Sequence, residues 1–251
     1  MIDAGSLEYA HARLGARYGD RPDELVWRRI EILRDFRATF DSARASPLGV
    51  WIANIGPDSD VHAIEVAMRA HWRERVASIT AWMPSAWRAA IEWCGLWIDL
   101  PVLQDLARGG TLPQWLRMDP LADALREGQR ARDRTGAAAL LAAGKAEPDR
   151  LATLWCEEWR RRLPTRGVDP APLADLVRLL GAHAAAFGDP LQHDGWALRR
   201  TLHARLSQQF RRATLDPAAA FIFLALSALD GERLRGELVR RAAFPRLRLA
   251  S

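Results

Sequence analysis

Apolar residues recur at intervals of three and four along almost the whole chain, and the strict alternation expected of β-strands is nearly absent. This spacing places apolar side chains on one face of an α-helix, where they can pack into a core. The five clearest stripes are Val26–Phe40, Val61–Ile79, Leu151–Leu163, Leu173–Phe187 and Trp196–Phe210. The pattern predicts an all-α protein of about ten helices joined by short connections.

The residues between these stripes indicate where helices begin and end. Aspartate at an N-cap accepts a backbone N–H that has no partner in the helix, and proline fits the next position because its missing N–H would be unpaired there. Four such pairs occur, at Asp119-Pro120, Asp169-Pro170, Asp189-Pro190 and Asp216-Pro217. Glycines are expected to supply helix ends and turns at Gly109-Gly110, Gly128, Gly144 and Gly231.

The segment at residues 85–110 is apolar around most of its circumference, with Trp87 and Ile91 on one face and Trp93 on another. A helix of this kind is normally central, so we expect it to form the spine of the N-terminal half. Pro101 is expected to kink or end this helix, because its ring clashes with the preceding turn. The other interpretation, a tryptophan-rich surface for a ligand or nucleobase, is less favoured than core packing.

The longest apolar run is AAAFIFLALSAL, residues 218–229. A membrane-spanning helix needs about 20 apolar residues, and here the charged stretch ERLRGELVRR follows almost at once. We therefore expect a buried helix and no transmembrane segment. The N-terminus lacks the pattern of a secretory signal, and Cys94 and Cys156 are too few for a disulfide framework or a metal site, which favours a cytoplasmic protein.

The chain carries 36 basic and 31 acidic residues, which gives a net charge of +5 and a pI of about 10.1. A basic protein can bind nucleic acid, but here the arginines alternate with acids, as in DELVWRRIEILRDFR. Such mixing is typical of solvated helix faces with ion pairs along the helix. We therefore expect no nucleic-acid partner, and an arginine-rich helical module that binds nucleic acid or protein is the alternative.

The motifs of catalysis and of metal binding are missing from the sequence. The six histidines do not have the spacing of helical metal ligands, no nucleophile elbow occurs, and the glycines of GAAALLAAGK are too far apart to cradle a phosphate. We therefore expect a protein that is not an enzyme, with no catalytic residue, no metal and no cofactor. An all-helical enzyme whose site is assembled from distant residues is the alternative.

Residues 202–244, LHARLSQQFRRATLDPAAAFIFLALSALDGERLRGELVRRAAF, resemble the C-terminal signature of one subunit of V/A-type rotary ATPases, called C in prokaryotes and d in eukaryotes. That family has a basic helix, an acidic-proline turn, an apolar helix, a charged turn and a final helix that ends near an aromatic residue. In this chain the first turn would be Asp216-Pro217. The charged turn would contain Glu232 and Arg235, and the ending would be Phe244-Pro245.

Two further stretches are similar to the same family. LEYAHARLGAR resembles its N-terminal Tyr-x-x-x-Arg-x-x-x-Arg helix, and WIDLPVLQDLARGG resembles the segment that closes its long central helix. The family's asparagine in that segment is Val102 here, and a common later lysine is Gly110. Across the three stretches, the matching positions are Tyr9, Arg13, Arg17, Asp99, Leu103, Arg108, Glu232 and Arg235.

The resemblance implies a funnel-like arrangement of two to three similar helical lobes. The lobes would be residues 1–118 with the tryptophan-rich helix, 119–190, and 191–251 with the terminal motif. It also implies a non-catalytic central-stalk subunit, a socket that links the rotor stalk to the membrane ring and couples ATP hydrolysis or synthesis to proton or sodium transport. Its partners would be the stalk and ring subunits, and the matching residues would be structural or docking positions. The protein would be peripheral on the cytoplasmic face of the membrane, touching it only through the complex, where an excess of positive charge suits nearby anionic headgroups.

Overall fold

The computed structural model describes residues 4–128, 135–165, 171–187 and 194–244, and within these ranges it has twelve α-helices and no strand. The prediction of an all-α protein is confirmed. The helices are α1 (Ala4–Gly19), α2 (Glu24–Ile32), α3 (Phe36–Arg44), α4 (Val61–Trp82), α5 (Ser85–Trp93), α6 (Leu100–Ala107), α7 (Pro120–Gly128), α8 (Ala137–Gly144), α9 (Leu151–Arg161), α10 (Ala171–Phe187), α11 (Gly195–Arg212) and α12 (Ala218–Ala243). Short 3₁₀ helices cover Pro47–Ile52, Cys94–Asp99, Gln114–Leu116 and Pro148–Arg150.

The chain packs as two compact units, and α4 contributes to both. Unit 1 comprises Met1–Met68, Ala81–Pro84 and Pro164–Ser251, and unit 2 comprises Arg69–Thr80 and Ser85–Leu163. These boundaries differ from those of the three lobes expected from the resemblance, because helices from both ends of the chain pack together in unit 1. The three lobes stay a prediction.

Helix α12 forms the centre of unit 1, where it packs against α1, α3, α10 and α11. Every residue from Ala218 to Ser227 is buried, as expected of a helix that is apolar on all sides. The prediction that this run is a core helix is confirmed. Within the described ranges, no helix combines the length and the apolar character needed to cross a membrane.

Helix α12 does not end at Gly231, and this prediction was wrong. The helix continues to Ala243, so Glu232 and Arg235 lie on its surface and not in a turn. Gly231 is buried because the ring of Trp51 packs directly on it, and a Cβ atom at this position would lie 2.8 Å from a ring carbon. The glycine is therefore required by a close approach and not by a turn.

The other helix boundaries mostly follow the predictions. Asp119 accepts a hydrogen bond from the backbone N–H of Leu121 at 2.9 Å where α7 begins, and Asp216 accepts one from that of Ala218 at 2.7 Å where α12 begins. The pairs Asp169-Pro170 and Asp189-Pro190 lie outside the described residues. The other glycines that were expected at helix ends do lie at the end of a helix or just after it. They are Gly109-Gly110, Gly128 and Gly144.

The stripe expected from Val26 to Phe40 is divided between two helices. The backbone is extended at Leu33, which ends α2, and α3 begins after Asp35. The carboxylate of Asp35 accepts a hydrogen bond from the backbone N–H of Ala38 at 2.9 Å, which caps α3. The apolar spacing continues from α2 into α3, so periodicity alone did not predict where one helix ends and the next begins.

The tryptophan-rich segment belongs to unit 2, where it forms α5, the 3₁₀ helix Cys94–Asp99 and α6. The long helix expected here is interrupted by the 3₁₀ helix that directly precedes Pro101, and Pro101 itself lies in the first turn of α6. Trp87, Ile91 and Trp93 are buried, which confirms the prediction of core packing. The neighbouring Cys94 is also buried, and burial raises the pKa of its thiol.

Reciprocal hydrogen bonds join two of the buried tryptophans. The indole N–H of Trp93 donates to the carbonyl of Trp155 at 2.9 Å, and the indole N–H of Trp155 donates to the carbonyl of Trp93 at 3.2 Å. These bonds fix α5 against α9 and satisfy two polar groups that would otherwise be costly to bury.

Gly231→Ala tests the contact between α12 and Trp51. Alanine normally stabilises a helix relative to glycine by up to about 1 kcal/mol. Here we expect the free energy of unfolding to fall by roughly 1–3 kcal/mol, because the added methyl group overpacks the site. The measurement is urea denaturation followed by circular dichroism.

The matched control is Gly15→Ala in α1, where a Cβ atom meets nothing within 4 Å. This variant should be unchanged or stabilised by up to about 1 kcal/mol. If both variants were stabilised equally, Trp51 would not pack on Gly231 as described.

Candidate functional site

The N-terminal motif residues Tyr9, Arg13 and Arg17 lie on the surface of α1. The guanidinium of Arg13 stacks on the ring of Trp82, at 5.2 Å from the ring centroid, and lies 5.8 Å from the centroid of Tyr9. Arg17 forms an exposed ion pair with Asp20 at 3.8 Å. Arg13 therefore joins α1 to the end of α4 within unit 1.

The C-terminal motif residues Glu232 and Arg235 also join helices. Glu232 accepts a hydrogen bond from Arg199 on α11 at 2.9 Å, and Arg235 donates one to Glu65 on α4 at 2.6 Å. The hydrogen bond to Glu65 raises the pKa of Arg235, which keeps its guanidinium charged. Both contacts hold α12 in place within unit 1.

The three remaining motif residues lie in unit 2. Leu103 is fully buried in the core, Arg108 forms an exposed ion pair with Asp149, and Asp99 is buried. The eight motif positions are therefore divided between the two units, and three of them, Arg13, Glu232 and Arg235, join helices within unit 1.

Asp99 belongs to a buried network of two arginines from α4 and two aspartates. Arg69 binds Asp99 and donates to Asp119 at 3.2 Å, and Arg73 donates to Asp119 at 2.7 Å and to Asp99 at 3.0 Å. Burial raises the pKa of Asp99 in spite of the two arginines beside it. When all four groups are ionised, the two positive and two negative charges balance, which is needed when ions leave water. Burial alone would favour a protonated Asp119, but hydrogen bonds from Arg73 and from the backbone N–H of Leu121 hold its pKa below the ordinary value.

The sequence indicated two members of this network for other reasons, Asp99 from the resemblance and Asp119 as a helix cap. The two arginines were missed, although Arg69 and Arg73 are four residues apart beside the buried Met68 and Trp72. An arginine pair that borders an apolar stripe in this way is the local signal of a buried ion pair.

A second feature is an open cleft of about 710 Å³ in unit 1, bounded by α2, α11 and α12. Six carboxylates, three arginines, one histidine and two tryptophans are among the side chains that line it. Among the lining side chains the acids outnumber the arginines two to one, although Asp230 is paired with Arg21, which lies outside the lining. The lining therefore suits a basic partner better than an acidic one.

The two tryptophans of the cleft are each covered by an arginine. The guanidinium of Arg233 lies 4.5 Å from the ring centroid of Trp27, and that of Arg199 lies 5.1 Å from the ring centroid of Trp196. Arg233 also pairs with Glu31 at 2.6 Å. Stacking and ion pairing together hold these long side chains in fixed positions.

The base of the cleft contains a buried ion pair beside a histidine. Arg21 donates two hydrogen bonds to Asp230, at 2.8 and 3.0 Å, and approaches Nε2 of His203 at 2.7 Å. Partial burial, followed by the charges of Arg21 and Arg233, lowers the pKa of His203 to about 4, although 40% of the side chain is exposed. The imidazole is therefore neutral at pH 7, with Nε2 accepting from Arg21 and Nδ1 carrying the hydrogen.

The geometry of the cleft suits binding. Among the described residues that line it, none is a serine, threonine or cysteine that could act as a nucleophile. Across the described ranges, no group of three or more histidine, cysteine or acidic side chains is arranged to hold a metal ion. Two tryptophans and three arginines line the cleft, and these two residue types are enriched at the energetically important positions of protein interfaces.

The sequence did not indicate this cleft. Arg21 lies between α1 and α2, whereas His203 on α11 and Asp230 on α12 come 182 and 209 positions later in the chain. No local spacing relates Arg21 to the other two residues. No family model, no curated protein and no solved structure matches the chain.

Arg69→Met tests the buried network of unit 2. Methionine retains much of the side-chain volume but leaves two buried aspartates with one arginine, so we expect the free energy of unfolding to fall by about 3–5 kcal/mol. Arg126→Met is the matched control, because Arg126 forms an exposed pair with Asp123 whose loss should cost less than about 1 kcal/mol. Equal effects in urea denaturation would contradict the network.

The protonation of His203 gives a second test. An NMR titration of its ring in the folded protein should have a midpoint near 4, since burial and Arg21 disfavour the charged form. Because the unfolded chain binds this proton near pH 6.5, the contribution to stability is fully present above that pH and is lost as pH falls towards 4. Arg21→Met should move the midpoint upwards, and a wild-type midpoint of 6.5 or higher would contradict the arrangement.

Proposed function

We propose that the chain is a non-catalytic central-stalk subunit of a V/A-type rotary ATPase. In this role it is a socket that links the rotor stalk to the membrane ring and couples ATP hydrolysis or synthesis to proton or sodium transport. The observation that carries the proposal is the open cleft of unit 1, whose walls are fixed by ion pairs and which adjoins the terminal motif through the contact between Glu232 and Arg199.

A socket that transmits torque needs helices that do not slide past one another. The motif residues contribute to that stiffness, since Arg13 joins α1 to α4 and Arg235 joins α12 to α4. The network around Asp99 has the same effect in unit 2, where it connects α4 to the start of α7. The placement of the motif residues therefore supports a mechanical role.

A socket also needs a surface that binds its partner. We place stalk binding in the cleft, with Trp196 as the principal contact, because 39% of its surface is exposed and its neighbours Arg199 and Glu232 are already held in position. The acidic excess of the cleft suits a basic segment of the stalk subunit. In this proposal the protein is cytoplasmic and peripheral at the inner face of the membrane, and it needs no cofactor.

Co-expression with candidate stalk and ring subunits from the same organism tests the proposal. We expect the wild-type chain to co-purify with them. Trp196→Ala should weaken binding of the stalk subunit at least about 30-fold, because a central aromatic anchor at an interface is worth about 2 kcal/mol or more.

Phe244→Ala is the matched control, because this aromatic side chain is 62% exposed and does not line the cleft. It should leave co-purification unchanged. If the wild-type chain bound neither the stalk nor the ring subunits, the proposed function would be wrong. If both variants behaved alike, the cleft would not be the stalk-binding surface.

A further inference from the structure

The outward face of α2 combines exposed apolar side chains with arginines that form no ion pair in the part of the chain that the structure describes. Leu25 is 68% exposed and Ile32 is 76% exposed, although neighbouring Trp27 and Ile30 are buried. A helix turns about 100° per residue, so Leu25 and Ile32, seven positions apart, lie on one line opposite the buried pair. Exposure of two large aliphatic side chains to water on the same face of a helix is energetically unfavourable.

Arginines flank this apolar line. Arg28 and Arg29 are one helical turn from both exposed aliphatic residues, and Arg34 and Arg37 follow at the end of α2 and the start of α3. All four are exposed, and within the described ranges none makes an ion pair or a side-chain hydrogen bond. By contrast, arginines near the cleft, such as Arg199 and Arg233, form ion pairs.

The neighbouring carboxylates do not neutralise these arginines. Glu24 and Glu31 are both bound to Arg233, on the side of α2 that borders the cleft. Asp23 and Asp35 cap α2 and α3 by accepting backbone hydrogen bonds. The outward face of α2 is therefore positively charged as well as partly apolar.

We infer that this face binds the anionic surface of a lipid bilayer. Leu25 and Ile32 would enter the boundary between the headgroups and the acyl chains, and Arg28 and Arg29 would bind lipid phosphates. Exposed aliphatic side chains between the arginines favour lipid over nucleic acid, whose backbone offers phosphates but no apolar layer. The inference rests on the proposed function, to which it adds a direct lipid contact where only contact through the complex was expected.

Co-sedimentation of the isolated chain with lipid vesicles tests the inference. We expect binding to vesicles of phosphatidylcholine mixed with phosphatidylglycerol, weakening as salt is raised, and little binding to phosphatidylcholine alone. Arg28→Gln combined with Arg29→Gln should weaken binding roughly 30-fold, since each arginine near an anionic surface contributes roughly fivefold. Leu25→Ser combined with Ile32→Ser should weaken it at least about tenfold, because apolar insertion is lost.

Arg205→Gln combined with Arg212→Gln is the matched control. These two arginines of α11 are also exposed and also have no ion pair within the described part of the chain, and their replacement removes the same charge. The control should weaken binding only a few-fold, through net charge. Circular dichroism establishes that each variant is folded before its binding is compared.

Several results would overturn the inference. These are no binding to the anionic vesicles, equal binding to phosphatidylcholine alone, or a control that loses as much affinity as the pair at Arg28 and Arg29. Tighter binding to duplex DNA or RNA of mixed sequence at the same salt would overturn it in favour of nucleic acid. Because no stalk or ring subunit is present, failure here is distinct from failure of the co-purification test.

Discussion

The fold of unit 1 depends on burying one long helix on all sides. The first ten residues of α12 expose almost no surface, so other helices must surround them, and these come from both ends of the chain. The second half of the same helix is charged, yet it continues without a break to Ala243, and Gly231 within it leaves room for the ring of Trp51. Burial of apolar surface therefore fixes the position of α12, and the position of α12 fixes the helices that form the cleft.

Arginines then determine how tightly these helices are held. Arg241 on α12 is buried and donates a hydrogen bond to the carbonyl of Leu33 at 2.9 Å, between α2 and α3, and Arg21 is bound to Asp230. Arg69 has a similar role in unit 2. A planar guanidinium suits these positions, because it donates several hydrogen bonds in fixed directions and is less strongly hydrated than lysine. Buried arginines therefore stabilise the fold, whereas the exposed arginines of α2 form a separate group with no ion pair to any described residue.

The sequence predicted those features that depend on neighbouring residues. Helical class follows from spacing, and the caps at Asp119 and Asp216 follow from the chemistry of one turn. It failed where a distant residue decides the outcome. Gly231 was expected to end a helix because glycine is common at helix ends. The prediction failed because the reason for the glycine is the ring of Trp51, which is far away in the sequence. The cleft was missed for the same reason, since the environment of His203 is created by residues near the two ends of the chain.

Hydrogen exchange of the backbone amides at residues 230–235 tests most directly the claim that α12 is one continuous helix. The account predicts protection close to that of residues 221–227, because both segments belong to one cooperative element held by surrounding helices. Rapid exchange confined to residues 230–235 would contradict it. That result would mean that a charged turn interrupts α12, and that Glu232 and Arg235 do not hold the helices that surround the cleft.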